Sequence, residues 1–478
     1  MLHSLEPVFR KVLNAINHRY LLRRLKMNLF SAIRARCHNA HQDHRAIARG
    51  MAWVILFVFL GKLAGAAKEM AIAYRYGISE DVDAYLFIFN LVSWPVGVWF
   101  SVLTVVLVPL AARIRHDTSI DLPRFRSELL GLTLLVGIGL MLFAWLGLPL
   151  LLRSPWTGLP PSSVIIATDM VSAIALLAPF GVLISLFSAW MLSAGRHANT
   201  LLESVPALVL LTALLAFPGG GVEPLVWGTV AGFICHLVSL AVPLGQRSEI
   251  ESPRFTLHSP QWPAFWHGFG IMMAGQALMS FIGILDQFFA AHLGTGAIAT
   301  LSYANRILAL ILGLGATAVS RATLPVFSLA QAQGVGQLHV QRVAVQWARL
   351  LFVLGVVAMT IGWWLAPWVV RLLFERGAFI ARDTAAVTEV LRYGLAQVPF
   401  YFSALVLVSL LASQCQHKLI AIGASINLFV KISANFALVP FIGIYGIPLA
   451  TAVMYMTSLI YLFVISKNFI KENTKCAC

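Results

Sequence analysis

The chain has 478 residues, 59% of them hydrophobic and 11% charged, with a mean hydropathy of +0.83. A soluble fold of this length has no interior large enough to hide so much apolar surface, so the composition excludes a globular cytosolic protein and indicates a polytopic membrane protein. The net charge is +15. On a membrane domain that excess is a topological signal and a contact for anionic lipid, and no nucleic-acid partner is expected.

Residues 1–50 form a basic arm with ten Lys/Arg against Glu6 and Asp43, expected to stay in the cytoplasm. Leu21, Leu22, Leu25, Leu29 and Phe30 among its basic residues leave two readings open, an interfacial amphipathic helix or a disordered extension. No apolar segment with a small-residue cleavage site precedes residue 50, so no cleavable signal peptide is expected. Twelve apolar spans follow, at 51–76, 84–112, 127–152, 163–194, 198–217, 222–245, 262–291, 296–327, 343–370, 384–413, 417–440 and 443–466. Each is long enough to cross a hydrocarbon core of about 30 Å as a helix. The expected fold is therefore all-α and polytopic, with about twelve transmembrane helices in two six-helix lobes around a central cavity. The N-lobe takes 51–245, a cytoplasmic linker 246–261, the C-lobe 262–466 and a cytoplasmic tail 467–478.

Loop charges orient the spans. One set of loops carries Arg113, Arg115, Arg124, Arg126, Arg196, Arg247, Arg254, Lys418 and Lys467, and the other carries Glu80, Asp81, Asp83 and glycine-rich turns. The basic set lies inside, which puts both termini in the cytoplasm. Arg371, Arg376 and Arg382 form the one discordant outer loop. Trp53, Trp94, Trp156, Trp262, Trp266 and Trp368 stand near span ends, as interfacial anchors do. Pro95, Pro179, Pro206 and Pro399 fall inside spans and should break or kink them. Gly61 and Gly65 form a small-residue face suited to a close helix contact. Cys37, Cys235, Cys415, Cys476 and Cys478 have neither disulfide nor metal spacing, and no metal or cofactor is expected.

Two stretches look like copies of one hairpin. Gly77 pairs with Gly294 at an offset of 217, Pro109 with Pro325 at 216, and Gly228-Thr229 with Ala450-Thr451 at 222. A slowly drifting offset is what small loop insertions produce. Duplicated halves enclosing a midplane site are a common transporter construction.

Ionisable residues inside spans are expensive and mark functional positions. The candidates are Lys62, Lys68 and Glu69 in the first span, Glu203 in the fifth, Asp286 in the seventh, Arg306 in the eighth and Lys431 in the eleventh. Counted from the glycine turns, Lys68, Glu69, Asp286 and Arg306 share one level, roughly 12–15 Å below the outer ends. The repeat sets Glu69 opposite Asp286 and Asn90 opposite Arg306. With Lys62, three cations face two anions, which suits a pyrophosphate-like ligand. Internal pairing, of Glu69 with Lys68 or Arg306 and of Asp286 with Arg306, is the structural alternative. Glu69 and Asp286 are also the candidates for coupling to protons, sodium or the membrane potential. Glu203 and Lys431 are weaker candidates, since either can snorkel or pair.

Leu373-Phe374-Glu375-Arg376-Gly377-Ala378-Phe379, followed by Asp383-Thr384-Ala385, resembles the outer-loop signature of the MurJ (MviN) lipid II flippases. Those belong to the multidrug/oligosaccharidyl-lipid/polysaccharide exporter superfamily. Gly61 through Glu69 to Gly77, with Asp83-Ala84-Tyr85, resembles that family's first hairpin, and Tyr303-Ala304-Asn305-Arg306 to Pro325 its eighth span. The resemblance covers residues 50–466. It implies two six-helix lobes, alternating access and an undecaprenyl-diphosphate-linked saccharide as cargo, in the bacterial inner membrane. It implies that Lys62, Lys68 and Arg306 hold the diphosphate, with Glu69 as the first-span acid and Arg376 as the loop cation. Asp83, Asn90 and Asn305 join them as cavity or gating candidates.

Three departures stand out. The family's basic pair in the second span is replaced by neutral Leu91-Val92-Ser93-Trp94-Pro95. Asn305 stands where the family has an acid before the eighth-span arginine, and the family's two further C-terminal spans are not expected after the twelfth. They open the cargo to an exopolysaccharide or O-antigen repeat unit as well as lipid II. Glycan-synthesis enzymes are conceivable partners. A multidrug cation antiporter of the same superfamily and a non-transporting scaffold of a glycan assembly complex are the rival functions. An enzyme is not expected, because no nucleophile–base or metal spacing occurs.

Overall fold

The computed structural model describes residues 42–475, apart from 117–121, 195, 197–198, 333–336 and 415. The arm before residue 42 and Cys37, Cys415, Cys476 and Cys478 lie outside the described residues. Two units divide the chain, residues 1–60 and residues 61–478. The first is helical over residues 42–60, and the second holds the packed bundle.

The helices are α1 (Gln42–Tyr76), α2 (Glu80–His116), α3 (Leu122–Leu152), α4 (Pro161–Ile174), α5 (Leu177–Ser193), α6 (Asn199–Leu202), α7 (Val205–Ala216) and α8 (Glu223–Gly245). The second half has α9 (Trp262–Ala291), α10 (Ala297–Ala332), α11 (Gln337–Phe374), α12 (Ala381–Leu395), α13 (Val398–Ser413), α14 (His417–Ile442) and α15 (Gly446–Lys475). Every predicted apolar stretch is helical, but not as twelve uniform crossings. Among the described residues, seven stretches are long and apolar enough to cross a membrane, or eight if the bent α4–α5 pair is one crossing. Two of the seven hold two helices each: Ala381–Ser413 contains α12 and α13, and Lys418–Ser466 contains α14 and most of α15. Lys62, Lys68 and Glu69 dilute the apolarity of α1.

Proline explains most of the breaks. Pro179, Pro206 and Pro399 each stand in the first turn of a new helix, and α4 and α5 meet at 46°. There the missing N–H would have had no intrahelical partner, and the fixed φ suits a helix start. Pro95 behaves otherwise: α2 runs through it without a break. Gly65 is also corrected, since nothing lies within 4 Å of where its Cβ would be.

Three apolar cores hold the bundle. One joins the halves near the glycine turns, through Ile72, Val82 and Phe87 on one side and Ala290, Ile298, Tyr303 and Phe379 on the other. A second packs α2, α3, α5 and α8 against the start of α9 through Trp262, Phe265 and Phe269. A third lies wholly in the second half. The helix predicted to open the C-lobe therefore shares its core with the first half. Trp94 and Trp262 are likewise not interfacial anchors, because Trp262 is buried and Trp94 hydrogen-bonds across to α9, whereas Trp156 and Trp368 are exposed.

The linker after α8 is stapled to α3 by a residue that sequence reasoning passed over. Glu128 is fully buried, and its carboxylate accepts from Thr256 Oγ1 at 3.0 Å, His258 N at 3.2 Å, Ser259 N at 3.0 Å and Trp262 Nε1 at 2.7 Å. Arg254 N donates to Ser127 O at 3.0 Å, and a Cβ on Gly131 would lie 2.1 Å from Arg254 O. Glu128→Ala strands a buried indole N–H and two backbone donors. A loss of about 3 kcal/mol is expected. It should be read as a lower melting temperature in detergent and faster tryptic cleavage after Arg254.

Candidate functional site

The two repeat turns are built alike and meet. Gly77 has φ 58°, and Gly294 and Gly296 have φ 101° and 82°, a left-handed backbone that glycine adopts without steric penalty. Asp83, buried one turn into α2, accepts from Gly296 N at 2.5 Å and Ala299 N at 2.7 Å. It thus caps the N-terminus of α10 across the halves, where free N–H groups and the helix dipole favour a carboxylate. Tyr303 donates its hydroxyl to Gly77 O at 3.1 Å.

The 373–379 signature docks on the same spot. Ala378 N donates to Tyr74 O at 2.8 Å. Gly377 (φ 62°) passes so close that a Cβ would lie 2.3 Å from Tyr74 O, and one on Gly77 would lie 2.6 Å from Ala378 O. Phe374 and Phe379 pack on the Tyr303 ring. Glu375 accepts from Thr384 Oγ1 at 2.7 Å. Arg376 is exposed and donates to Leu372 O at 3.1 Å, so it closes the end of its own helix and does not reach the cavity.

One level deeper lies a charge node. Lys68 Nζ sits 2.8 Å from Glu69 Oε1, and Arg306 Nε 3.2 Å from the same oxygen. Two cations from opposite halves thus share one buried carboxylate, leaving the trio net positive. Asp286 is not part of it, nor does it pair with Arg306. Its Oδ1 lies 2.8 Å from Lys431 Nζ and accepts from Asn435 Nδ2 at 3.1 Å. Lys431 is fully buried and also donates to Ile447 O at 2.8 Å and Thr451 Oγ1 at 2.7 Å. Lys62 is exposed and about 9 Å further along α1 than Lys68. Its neighbour Gly61 faces Ser204, and Glu203 accepts from Asn199 Nδ2 at 3.4 Å, so Lys62 and Glu203 belong to a region apart from the node. The third cation beside the two acids is Lys431, not Lys62.

A cavity of about 420 Å³ opens beside the node, lined by Asn90, Ser93, Trp94, Asp286, Gln287, Asn305 and Arg306 among others. A second, of about 240 Å³, shares Asp286 and Asn305 and continues to Gln397, Thr451 and Tyr455. Trp94 Nε1 donates to Ser280 Oγ at 2.9 Å, tying α2 to α9 at the cavity wall. Asn90 and Arg306, equivalent under the repeat, line the same space. Ser93, Trp94, Gln287 and Gln397 were not among the residues expected at the cavity. Their signal was neutral polarity inside apolar spans.

The family model for lipid II flippase MurJ matches residues 72–474. The chain belongs to the MurJ family. A "Probable lipid II flippase MurJ" from Helicobacter pylori is 32% identical over 204 residues, 42% of this chain and 43% of that relative. The chain thus matches less than half the length of that curated MurJ. A solved structure of lipid II flippase MurJ in an inward closed conformation aligns with a TM-score of 0.76 over 87% of both chains, at 18% identity. An inward-facing multidrug resistance MATE transporter of the MOP superfamily aligns with a TM-score of 0.71 over 87% of this chain and 96% of that one, at 15% identity. The fold is therefore the one that MurJ and MATE share, as the signature loop implied.

Proposed function

We propose that this chain moves a polyprenyl-diphosphate-linked saccharide across the bacterial inner membrane by alternating access of its two halves. The observation that carries the reading is the Lys68–Glu69–Arg306 node beside a cavity of about 420 Å³. The diphosphate is the part of such a lipid that hydrocarbon tolerates least. Arg306 can grip it in bidentate fashion and Lys68 supplies a point charge, while Glu69 holds both cations ready until the anion arrives. Exposed Lys62 is the first cation met on the way in. Lipid II and an exopolysaccharide or O-antigen repeat unit satisfy this chemistry equally, and the enzymes that make them are the natural suppliers on the cytoplasmic side.

In this reading the Gly77 face is outer and both termini are cytoplasmic. The contacts of Asp83, Tyr303 and Ala378 then close the outer face while the cavity loads from inside. The uncompensated charge of the node is the element on which a membrane potential acts, at about 2.3 kcal/mol per charge per 100 mV. A proton or sodium ion at Asp286 would first have to displace Lys431.

The MATE-like fold favours one rival, export of cationic drugs. A net-positive node repels such a cargo, and resistance to cationic dyes on expression would revive that rival. For the main reading, Lys68→Ala and Arg306→Ala are each expected to abolish complementation of a strain depleted of its own lipid-linked-glycan flippase, at normal levels of monodisperse protein. Mass analysis should find the lipid-linked intermediate accumulating on the cytoplasmic leaflet. Full activity of the double Ala variant would sink the reading and favour a scaffold.

A further inference from the structure

We infer that the neutral wall of the cavity, formed by Asn90, Ser93, Gln287 and Asn305, is a saccharide subsite that reads the hydroxyl and amide groups of the sugar next to the diphosphate. This rests on the cargo class proposed above and assigns the residues that choose among its members.

The cavity beside the node is mostly uncharged. Arg306 and Asp286 are its ionisable lining residues, and the Asp286 carboxylate is already held by Lys431 and Asn435. The rest of the polar lining is amide and hydroxyl. A diphosphate at neutral pH accepts hydrogen bonds, so a pocket made only for it needs only donors. This pocket offers acceptors as well. Ser93 and Gln287 line the cavity, and their buried Oγ and Oε1 have no partner within the protein. An amide oxygen can only accept, so Gln287 brings to the wall an acceptor that no protein group uses, open to an O–H or N–H once its side chain turns toward the space. Sugar hydroxyls and an acetamido group present donors and acceptors together, as paired amide and hydroxyl side chains do.

Geometry agrees with this division. Asn305 precedes Arg306 on α10 and lines both cavities, so the cation and the neutral wall adjoin. The second cavity extends the neutral lining to Gln397 and Tyr455, which gives a head group longer than one sugar room to continue. An acyl or prenyl chain is a poor occupant, because it would leave every one of these polar atoms unpaired. A site that hydrogen-bonds a hydroxyl discriminates strongly against an analogue lacking it, since the buried groups then go unmatched.

The test compares two probes on the full-length purified chain by native mass spectrometry: undecaprenyl diphosphate, and the same lipid bearing one N-acetylhexosamine. The wild type is expected to bind the sugar-bearing probe at least tenfold more tightly. Gln287→Ala and Asn305→Ala should each cut that ratio below threefold by weakening the sugar-bearing complex. Gln287→Met, similar in length but without amide groups, serves if the Ala variant does not fold, and a melting curve reports folding. A wild type that does not discriminate, or variants that keep the tenfold ratio, overturns the subsite. Lys68→Ala and Arg306→Ala should weaken both probes alike and preserve the ratio. If they weaken neither, the diphosphate reading fails while the sugar preference still stands or falls on its own ratio.

Discussion

Lys431→Met is expected to lower folding stability by about 4 kcal/mol. The ammonium is fully buried and its three hydrogen bonds go to Asp286 Oδ1, Ile447 O and Thr451 Oγ1. Methionine fills nearly the same volume, so the loss comes from charge and not from a cavity. It leaves a carboxylate inside the bundle with Asn435 Nδ2 still donating to it. Removing one partner of a buried pair is far worse than removing both, because the second charge then has nothing to offset its desolvation. The double variant Lys431→Met with Asp286→Leu should therefore recover most of the loss. A double-mutant cycle on melting temperatures in one detergent gives the coupling directly. If Lys431→Met melts with the wild type, the ion pair contributes nothing and Asp286 is open to an external cation.

That pair also marks the limit of what the sequence could reveal. Counting residues from Gly77 and Gly294 gave the depth of Lys68, Glu69, Asp286 and Arg306, and depth is one coordinate of three. A helix turns 100° per residue, so charges on one level can face different neighbours. Glu69 faces Arg306 across the halves, while Asp286 faces α14 and finds Lys431. Lys431 itself was visible as a charge in a span, but nothing local named its partner 145 positions earlier. The helices were legible because apolar length is a property of the sequence alone. So were the breaks before Pro179, Pro206 and Pro399, where proline starts a turn. The unbroken course through Pro95 was not, since it depends on packing around α2. Glu128 was opaque for a related reason. Its partners lie in an irregular linker and at the first residue of α9, 128 to 134 residues away, which leaves no periodic trace. The signature loop was legible as a motif, yet its task, pressing Gly377 and Ala378 onto the Gly77 turn, exists only once the halves meet.

Asp83→Asn is expected to loosen that meeting without unfolding either half. The carboxylate receives two N–H groups at the start of α10, one on each oxygen. An amide keeps one acceptor oxygen, turns a donor toward the second N–H, and gives up the charge that the helix N-terminus favours. The difference is about 1–2 kcal/mol, or roughly tenfold in the balance between closed and open contacts. Tyr303–Gly77 and Ala378–Tyr74 persist, so the closed state is weakened but still forms. A single cysteine at Ala299, buried in the native contact, reports the change in a chain freed of its five native cysteines. Labelling by a membrane-impermeant maleimide in whole cells should rise several-fold on adding Asp83→Asn, and further with Tyr303→Phe. Transport should fall in the same order, because alternating access needs one face shut while the other opens. Unchanged labelling with reduced transport would instead make Asp83 part of the cargo path. Unchanged labelling with unchanged transport would leave it a helix cap alone. What separates these outcomes is that Asp83 belongs to one half and the N–H groups it binds belong to the other, so its contribution is present only while the two are together.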